Sequence, residues 1–216
     1  MSASVTKLTP TSLSSLLCAR ICHDLISPIG ALGTAVEILD DKDNVDMHED
    51  ALQLVRTASR QASAKLKFLR LAFGAAGSAP GVVATSEITQ LSNDMFADSK
   101  PELAWDIEQD GIDKNHARIL LNLIMLAVQA APRGGTVTIT GRGQDPSTDF
   151  TLVSDGPKAR LDPAIAKAIS GKAPEDGFDG RSIQPLYATL LARDAGGRVG
   201  ASAEETVITF TANFPA

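Results

Sequence analysis

Aromatic side chains are scarce in this chain, whose 216 residues include seven Phe, one Trp and one Tyr. A core must therefore be packed mainly from Leu, Ile, Val and Ala, and a chain of this length can bury one medium domain or two small ones. Cysteine is scarcer still. The two present, Cys18 and Cys22, exclude a disulfide framework. Four apart on an expected helix, they stack along one face as small apolar residues, and no second pair of ligands accompanies them to hold a metal. Basic charge is also short. A formal net charge of −6 argues against nucleic acid as a partner, because phosphate backbones are held by clustered Lys and Arg. No uninterrupted apolar run approaches the roughly 20 residues that span a bilayer. Met1–Pro10 lacks the basic-then-apolar layout of a signal peptide. At 44% hydrophobic and 21% charged, the chain reads as a cytoplasmic globular protein, away from membranes, that meets other proteins.

What is present falls into segments. From about Thr11 to Asp41, residues Cys18, Ile21, Leu25, Pro28, Leu32, Ala35 and Leu39 recur at alternating steps of three and four, with Cys22, Ile29 and Val36 widening the stripe. That is the seam of an amphipathic helix in a bundle. From about Asn44 to Ala76 the pattern repeats with Leu52, Val55, Ser59, Ala62, Leu66, Leu69 and Phe73. The polar turn Asp40–Asn44 makes the two helices antiparallel neighbours. One hairpin cannot bury its whole stripe alone. A second copy would complete a four-helix bundle; the alternative is packing on the hairpin's own C-terminal domain.

Gly74–Gly81, rich in Gly, Ala, Ser and Pro, reads as a linker. It separates a hairpin domain, residues 1–76, from a second domain, residues 82–216. In the second, Ser86–Ala97, Asp113–Ala130, Pro163–Ser170 and Pro185–Asp194 are expected helices, with Asp113 as a side-chain cap. Leu103–Ile107, Thr136–Arg142, Phe150–Ser154, Arg198–Ala201 and Val207–Phe210 are expected strands. The fold class is α+β: an antiparallel helical hairpin followed by an α/β sandwich.

His23 stands out by its direction. Successive helix residues turn by about 100°, so His23 lies about 160° from Leu25, the centre of the apolar stripe. On the same outer face lie Arg20, Ser27, Gly30 and Thr34, mostly small residues that leave room for another protein. A solvent-facing imidazole offers a nucleophilic nitrogen near neutral pH, and a phosphoramidate formed there is reactive enough to be handed on. Asp24 is placed to hydrogen-bond the ring and set its tautomer. Arg20, one turn earlier, is a candidate to steady an incoming phosphoryl group.

The string Ala19-Arg-Ile-Cys-His-Asp-Leu-Ile-Ser-Pro-Ile-Gly-Ala31 resembles the phospho-acceptor box of sensor histidine kinases, and more closely that of the ChpT-type histidine phosphotransferases. The resemblance covers essentially the whole chain. It implies that His23 is the phosphorylated residue and Asp24 its acidic neighbour. It also implies that Pro28 is the helix kink that shapes the docking surface; Arg20, Ser27, Gly30 and Thr34, placed on the outer face by helix geometry, are the docking candidates beside it. It further implies a homodimer of hairpins, each followed by a domain shaped like a kinase ATP-binding domain. The implied partners are response-regulator receiver domains and the receiver domain of a hybrid histidine kinase, between which phosphate is relayed.

The nucleotide motifs of kinases are degraded here. In kinases the relevant helix carries two asparagines four apart; this chain has Asn122 but then Leu126, which has no oxygen for a hard cation. Ser154 stands where an aspartate reads the adenine amine, with Asp155 one place late and Lys158 where a glycine is expected. Of the last glycine box only Gly180 survives, Ser182 and Gln184 replacing residues that let the backbone approach phosphates. The stretch from Ser170 to Gly180 is short for an ATP lid. The expectation is no ATP, no resident metal and no autokinase activity, with Mg²⁺ supplied by the receiver partner. Two other readings stay open: an atypical histidine kinase, supported by Asn122 and Asp155, and a receiver-binding adaptor without chemistry. His48 and His116 read as surface or capping residues, Trp105 as a strand core residue, and Gly134-Gly135 and Gly196-Gly197 as tight turns. Arg181 and Arg193 read as solvated charges.

Overall fold

The structure is a computed structural model that describes residues 8–74, 81–144 and 147–215. Helix α1 (Pro10–Asp40) starts where the Thr9 side chain accepts a hydrogen bond from the Ser12 N–H and Pro10 occupies the first turn. Both are favoured starts, because the first N–H groups of a helix have no internal partner and proline has none to lose. A turn and a short 3-10 segment (Val45–Met47) lead to α2 (His48–Phe73), which runs back antiparallel along α1. The turn is held by the Asp41 carboxylate, which accepts from the Asp43 N–H and the Asn44 side chain. The inferred linker lies, in its residues 75–80, outside the described residues.

The second half comprises β1 (Val82–Ala84), α3 (Thr85–Met95), β2 (Pro101–Ile107), β3 (Gly111–Asp113), α4 (Lys114–Ala130), β4 (Gly135–Gln144), β5 (Ser147–Asp155), α5 (Pro163–Ile169), α6 (Ile183–Asp194), β6 (Arg198–Glu204) and β7 (Val207–Phe214). Five strands form a sheet in the order β2-β4-β5-β7-β6, with β2 and β4 parallel and the other pairs antiparallel. β1 and β3 pair separately; at three residues each they carry no readable alternation, which is why the sequence pattern missed them. Along β7, buried Ile208, Phe210, Ala212 and Phe214 alternate with half-buried residues. The helices therefore cover one face, and the other, carrying Thr138, Thr140, Thr151, Thr209 and Thr211, is partly open, as antiparallel sheets allow.

Helix α4 lies at the centre. Ile119, Leu120, Leu121, Leu123, Ile124 and Leu126 are all buried, so it is apolar on nearly every side, the signature of a helix surrounded by structure. Asp113 caps it, accepting from the N–H groups of Asn115 and His116. The turn that follows α4 needs φ of 100° at Gly134 and 113° at Gly135, a region only glycine enters without strain.

The hairpin does not stand apart from this domain. Phe68, Leu69 and Ala72 of α2 are buried in the same core as α4 and the sheet, with Ile21 and Leu25 of α1 packed against it. Phe73 stacks on Tyr187 of α6 with ring centroids 5.6 Å apart. Asn122 is fully buried, and its amide donates to the Ala72 carbonyl at 3.0 Å and the Arg118 carbonyl at 2.9 Å. It thus caps the C-terminal end of α2 from within the second domain.

The stripes read from the sequence are displaced at their edges. Ile21, Leu25, Pro28, Leu32, Ala35 and Leu39 are buried or half-buried, whereas Cys18, Cys22, Ile29 and Val36 are exposed. On α2 the inward positions centre on Ala51, Ala58, Ala64, Phe68, Leu69 and Ala72, leaving Leu52, Ser59 and Leu66 outside. The physical reason is that α2 rotates its buried face between α1 and the α3–α4 layer.

Candidate functional site

His23 projects from α1 with its side chain 79% exposed. Ser27, Gly30 and Thr34 follow on the same exposed face. The face also carries Ile26, 69% exposed one turn from His23; its position outside the apolar stripe was the only sequence signal for it. Pro28 is buried within an unbroken α1, so it shapes the surface through the backbone instead of touching a visitor.

Arg20 is a correction. It does not share the open face: it is 6% exposed, and its Nε donates to Asp24 Oδ2 at 3.1 Å. The i,i+4 spacing that brings the two together also turns both toward the groove beside α2 and α6. Through Nε the guanidinium holds the Asp24 carboxylate in place, and the side chain lines the same cleft as His23. The other oxygen, Asp24 Oδ1, lies 3.4 Å from His23 Nδ1. With Nδ1–H as the donor, the lone pair sits on Nε2, which faces outward. The Asp24 carbonyl accepts from Lys65 Nζ of α2 at 3.1 Å. Sequence reading did not find Lys65, because its role depends on how the two helices are set against each other.

Arg20, His23 and Asp24 line one wall of a cleft of about 430 Å³; Leu126, Pro132, Arg160, Arg181 and Ser182 of the second domain line the other. The residues at the degraded nucleotide motifs are engaged in the protein's own interior. Leu126 is fully buried. Ser154 is buried and donates to the Ala127 carbonyl at 2.8 Å, while Asp155 is exposed. Gln184 is buried, its amide donating to the Asn122 carbonyl at 3.0 Å. Ser182 Oγ and backbone N–H both bond Asp179 at 2.7 Å, and these bonds hold the Asp179 carboxyl below its ordinary range.

The remaining candidates lie elsewhere. His48 opens α2, with Nε2 3.4 Å from the Asp41 carbonyl. His116 is corrected from surface to interior: it is 7% exposed and stacks on Phe214 at 3.9 Å between centroids. Trp105 is half-buried on edge strand β2, donating to Asn93 at 3.2 Å. Arg181 is exposed on the cleft, and Arg193 is exposed but not among its lining.

Residues 85–207 match the family model described as histidine phosphotransferase C-terminal domain. The chain is 38% identical over 212 residues to the protein phosphotransferase ChpT of Brucella abortus (strain 2308), covering 98% of this chain and 100% of that one. This chain belongs to the histidine phosphotransferase family. Its activity is phosphotransfer, and the ChpT-type resemblance of the His23 segment extends over the whole molecule. A solved bacterial phosphotransferase superposes with a TM-score of 0.86 at 37% identity, covering 97% of this chain and 100% of that one. Full-length ShkA in complex with AMPPNP superposes with a TM-score of 0.50 at 22% identity, over 96% of this chain and 46% of that one. That likeness concerns the fold alone.

By length and composition α1 is apolar enough to cross a membrane. The Arg20–Asp24 pair in its middle and its packing along α2 are those of a bundle helix.

Proposed function

We propose that this protein relays phosphoryl groups between receiver-domain aspartates through His23, without using ATP. The observation that carries the reading is the imidazole of His23, open to solvent and backed by Asp24 on Nδ1. In the forward step the Nε2 lone pair attacks the phosphorus of an aspartyl phosphate on a docked receiver. The N–P bond forms as the P–O bond breaks, and the electron pair leaves with the receiver's carboxylate. Nε2 carries no proton at the start, so none must be removed, and the imidazolium that results keeps Nδ1–H toward Asp24, whose negative charge stabilises it. The reverse of the same step loads a second receiver. Mg²⁺ in this chemistry belongs to the receiver.

The partners under this reading are response-regulator receivers and the receiver of a hybrid histidine kinase, met in the cytoplasm. Ser27, Gly30 and Thr34 leave the α1 face low enough for them to approach, and Ile26 offers an apolar contact. The exposed ribbon Cys22, Ile29, Val36, Leu52 and Leu66 supports a homodimer in which a second hairpin covers it and completes a four-helix bundle. Against ATP stand Leu126 in place of a metal-holding side chain and the interior bonding of Ser154 and Gln184.

The test is transfer of labelled phosphate from a phosphorylated receiver to wild type and to His23→Ala side by side. Label on wild type and none on His23→Ala is expected. Label that persists without the imidazole would sink the proposal. A parallel incubation with labelled ATP and Mg²⁺, without any receiver, leaves the protein unlabelled.

A further inference from the structure

Helix α1 passes through Pro28 without interruption. Proline has no N–H, so the carbonyl four residues earlier loses its helical donor, and the ring presses that carbonyl outward. Here that carbonyl belongs to Asp24. An orphaned carbonyl in a half-buried groove is destabilising unless another donor reaches it. The donor present is Lys65 Nζ, 3.1 Å away on the neighbouring helix and 41 residues along the chain.

Asp24 is therefore fixed from several sides. Its carbonyl is held by Lys65, Oδ2 by Arg20, and Oδ1 faces the ring nitrogen of His23. The backbone bond sets where the Asp24 Cα sits at the proline, and with it the direction of the carboxylate toward Nδ1. Lys65 is half-buried on α2 and donates to the backbone carbonyl of Asp24. The route from Lys65 to the imidazole that this bond offers runs through Asp24.

We infer that Lys65 is a positioning residue: it caps the carbonyl that Pro28 leaves open, and so holds Asp24 against His23 in the tautomer that leaves Nε2 free to accept phosphate. The inference rests on His23 being the acceptor. It makes Pro28 and Lys65 a functional pair, in which the proline opens a place on the helix and a residue of the other helix closes it. An alanine at position 28 would restore the N–H and make Lys65 redundant.

The experiment is a double-mutant cycle on the full chain: wild type, Lys65→Met, Pro28→Ala and the double variant. Two quantities are read on each. One is the rate constant for transfer from a phosphorylated receiver, with receiver half-saturation recorded separately. The other is the pair of imidazole ¹⁵N shifts of His23 in the free protein, which report the tautomer. In the wild-type background Lys65→Met lowers the transfer rate constant by about tenfold, with half-saturation unchanged, as a misdirected nucleophile does. It also moves the ring away from the Nδ1–H form. In the Pro28→Ala background the same substitution changes the rate by less than about twofold and leaves the shifts in place. Lys65→Arg, which keeps a donor, holds both readouts near wild type. Should Lys65→Met fail to fold while Lys65→Arg and the double variant fold and transfer, the dependence of Lys65 on Pro28 is shown all the same.

Equal effects of Lys65→Met in both backgrounds, or an unmoved tautomer and rate in the first, would overturn the inference. The ¹⁵N readout needs no receiver. A failure of His23 as acceptor is thus seen separately, as transfer persisting in His23→Ala.

Discussion

Replacing Asn122 by aspartate changes one amide nitrogen to oxygen at a fully buried site whose neighbours are two carbonyls, those of Ala72 and Arg118. A carboxylate there would face two acceptors with no donor between, so the folded protein must keep the group protonated. An unperturbed aspartic acid titrates near 3.9. Holding it neutral at pH 7 costs about 1.4 kcal/mol for each of the roughly three intervening pH units, or about 4 kcal/mol. The single hydroxyl proton can serve only one of the two carbonyls, which adds about 1 kcal/mol. The sign follows from a folded-state pKa raised above the unfolded one. The protonation penalty is absent below the unfolded value and grows as pH rises toward the folded one. Urea unfolding of wild type and Asn122→Asp at pH 7 and pH 5 is the assay, each difference taken at one pH so that other carboxylates cancel. The expected deficit is about 5 kcal/mol at pH 7 and about 2.5 kcal/mol at pH 5. A deficit below about 2 kcal/mol at pH 7, or one that does not change with pH, would mean that water reaches the joint between α2 and α4 and that the packing argument is wrong.

Asp179 is held below its ordinary pKa by the Ser182 hydroxyl and N–H. Wild type is expected to exceed Asp179→Asn in stability at neutral pH, with a gap that is constant above the usual carboxylate range and closes as pH falls through the lowered value; urea midpoints across pH 2–6 measure it. Under the proposed pairing of hairpins, Ile29→Glu, at a residue 55% exposed, is expected to leave circular dichroism and thermal unfolding of the single chain intact while halving the mass in sedimentation. A wild type that already sediments as a monomer would remove the reason for a paired hairpin.

Long, strongly patterned segments were legible in the sequence. The hairpin, the cap at Asp113 and the helix it starts, and the strands of the large sheet follow from periodicity and side-chain chemistry that act within a few residues. What was not legible depends on relative placement. The direction of Arg20 looked outward on a bare helix, because its stem and charge find their site only when Asp24, α2 and α6 close around them. His116 reads as a first-turn surface residue until β7 brings Phe214 over it. Lys65 and Asn122 each serve a carbonyl on another element, and a backbone carbonyl leaves no trace in the local residue pattern. The direction of His23 was readable, since its position opposite Leu25 follows from helix geometry alone.

Helix α2 is common to both halves of the molecule. Its one side closes the hairpin, and its other side supplies Phe68, Leu69 and Ala72 to the interior around α4. Cutting the chain between residues 74 and 81 would therefore not yield two self-sufficient pieces, because the second would be left with an uncovered apolar floor. A core shared in this way is expected to make the two halves melt as one cooperative unit.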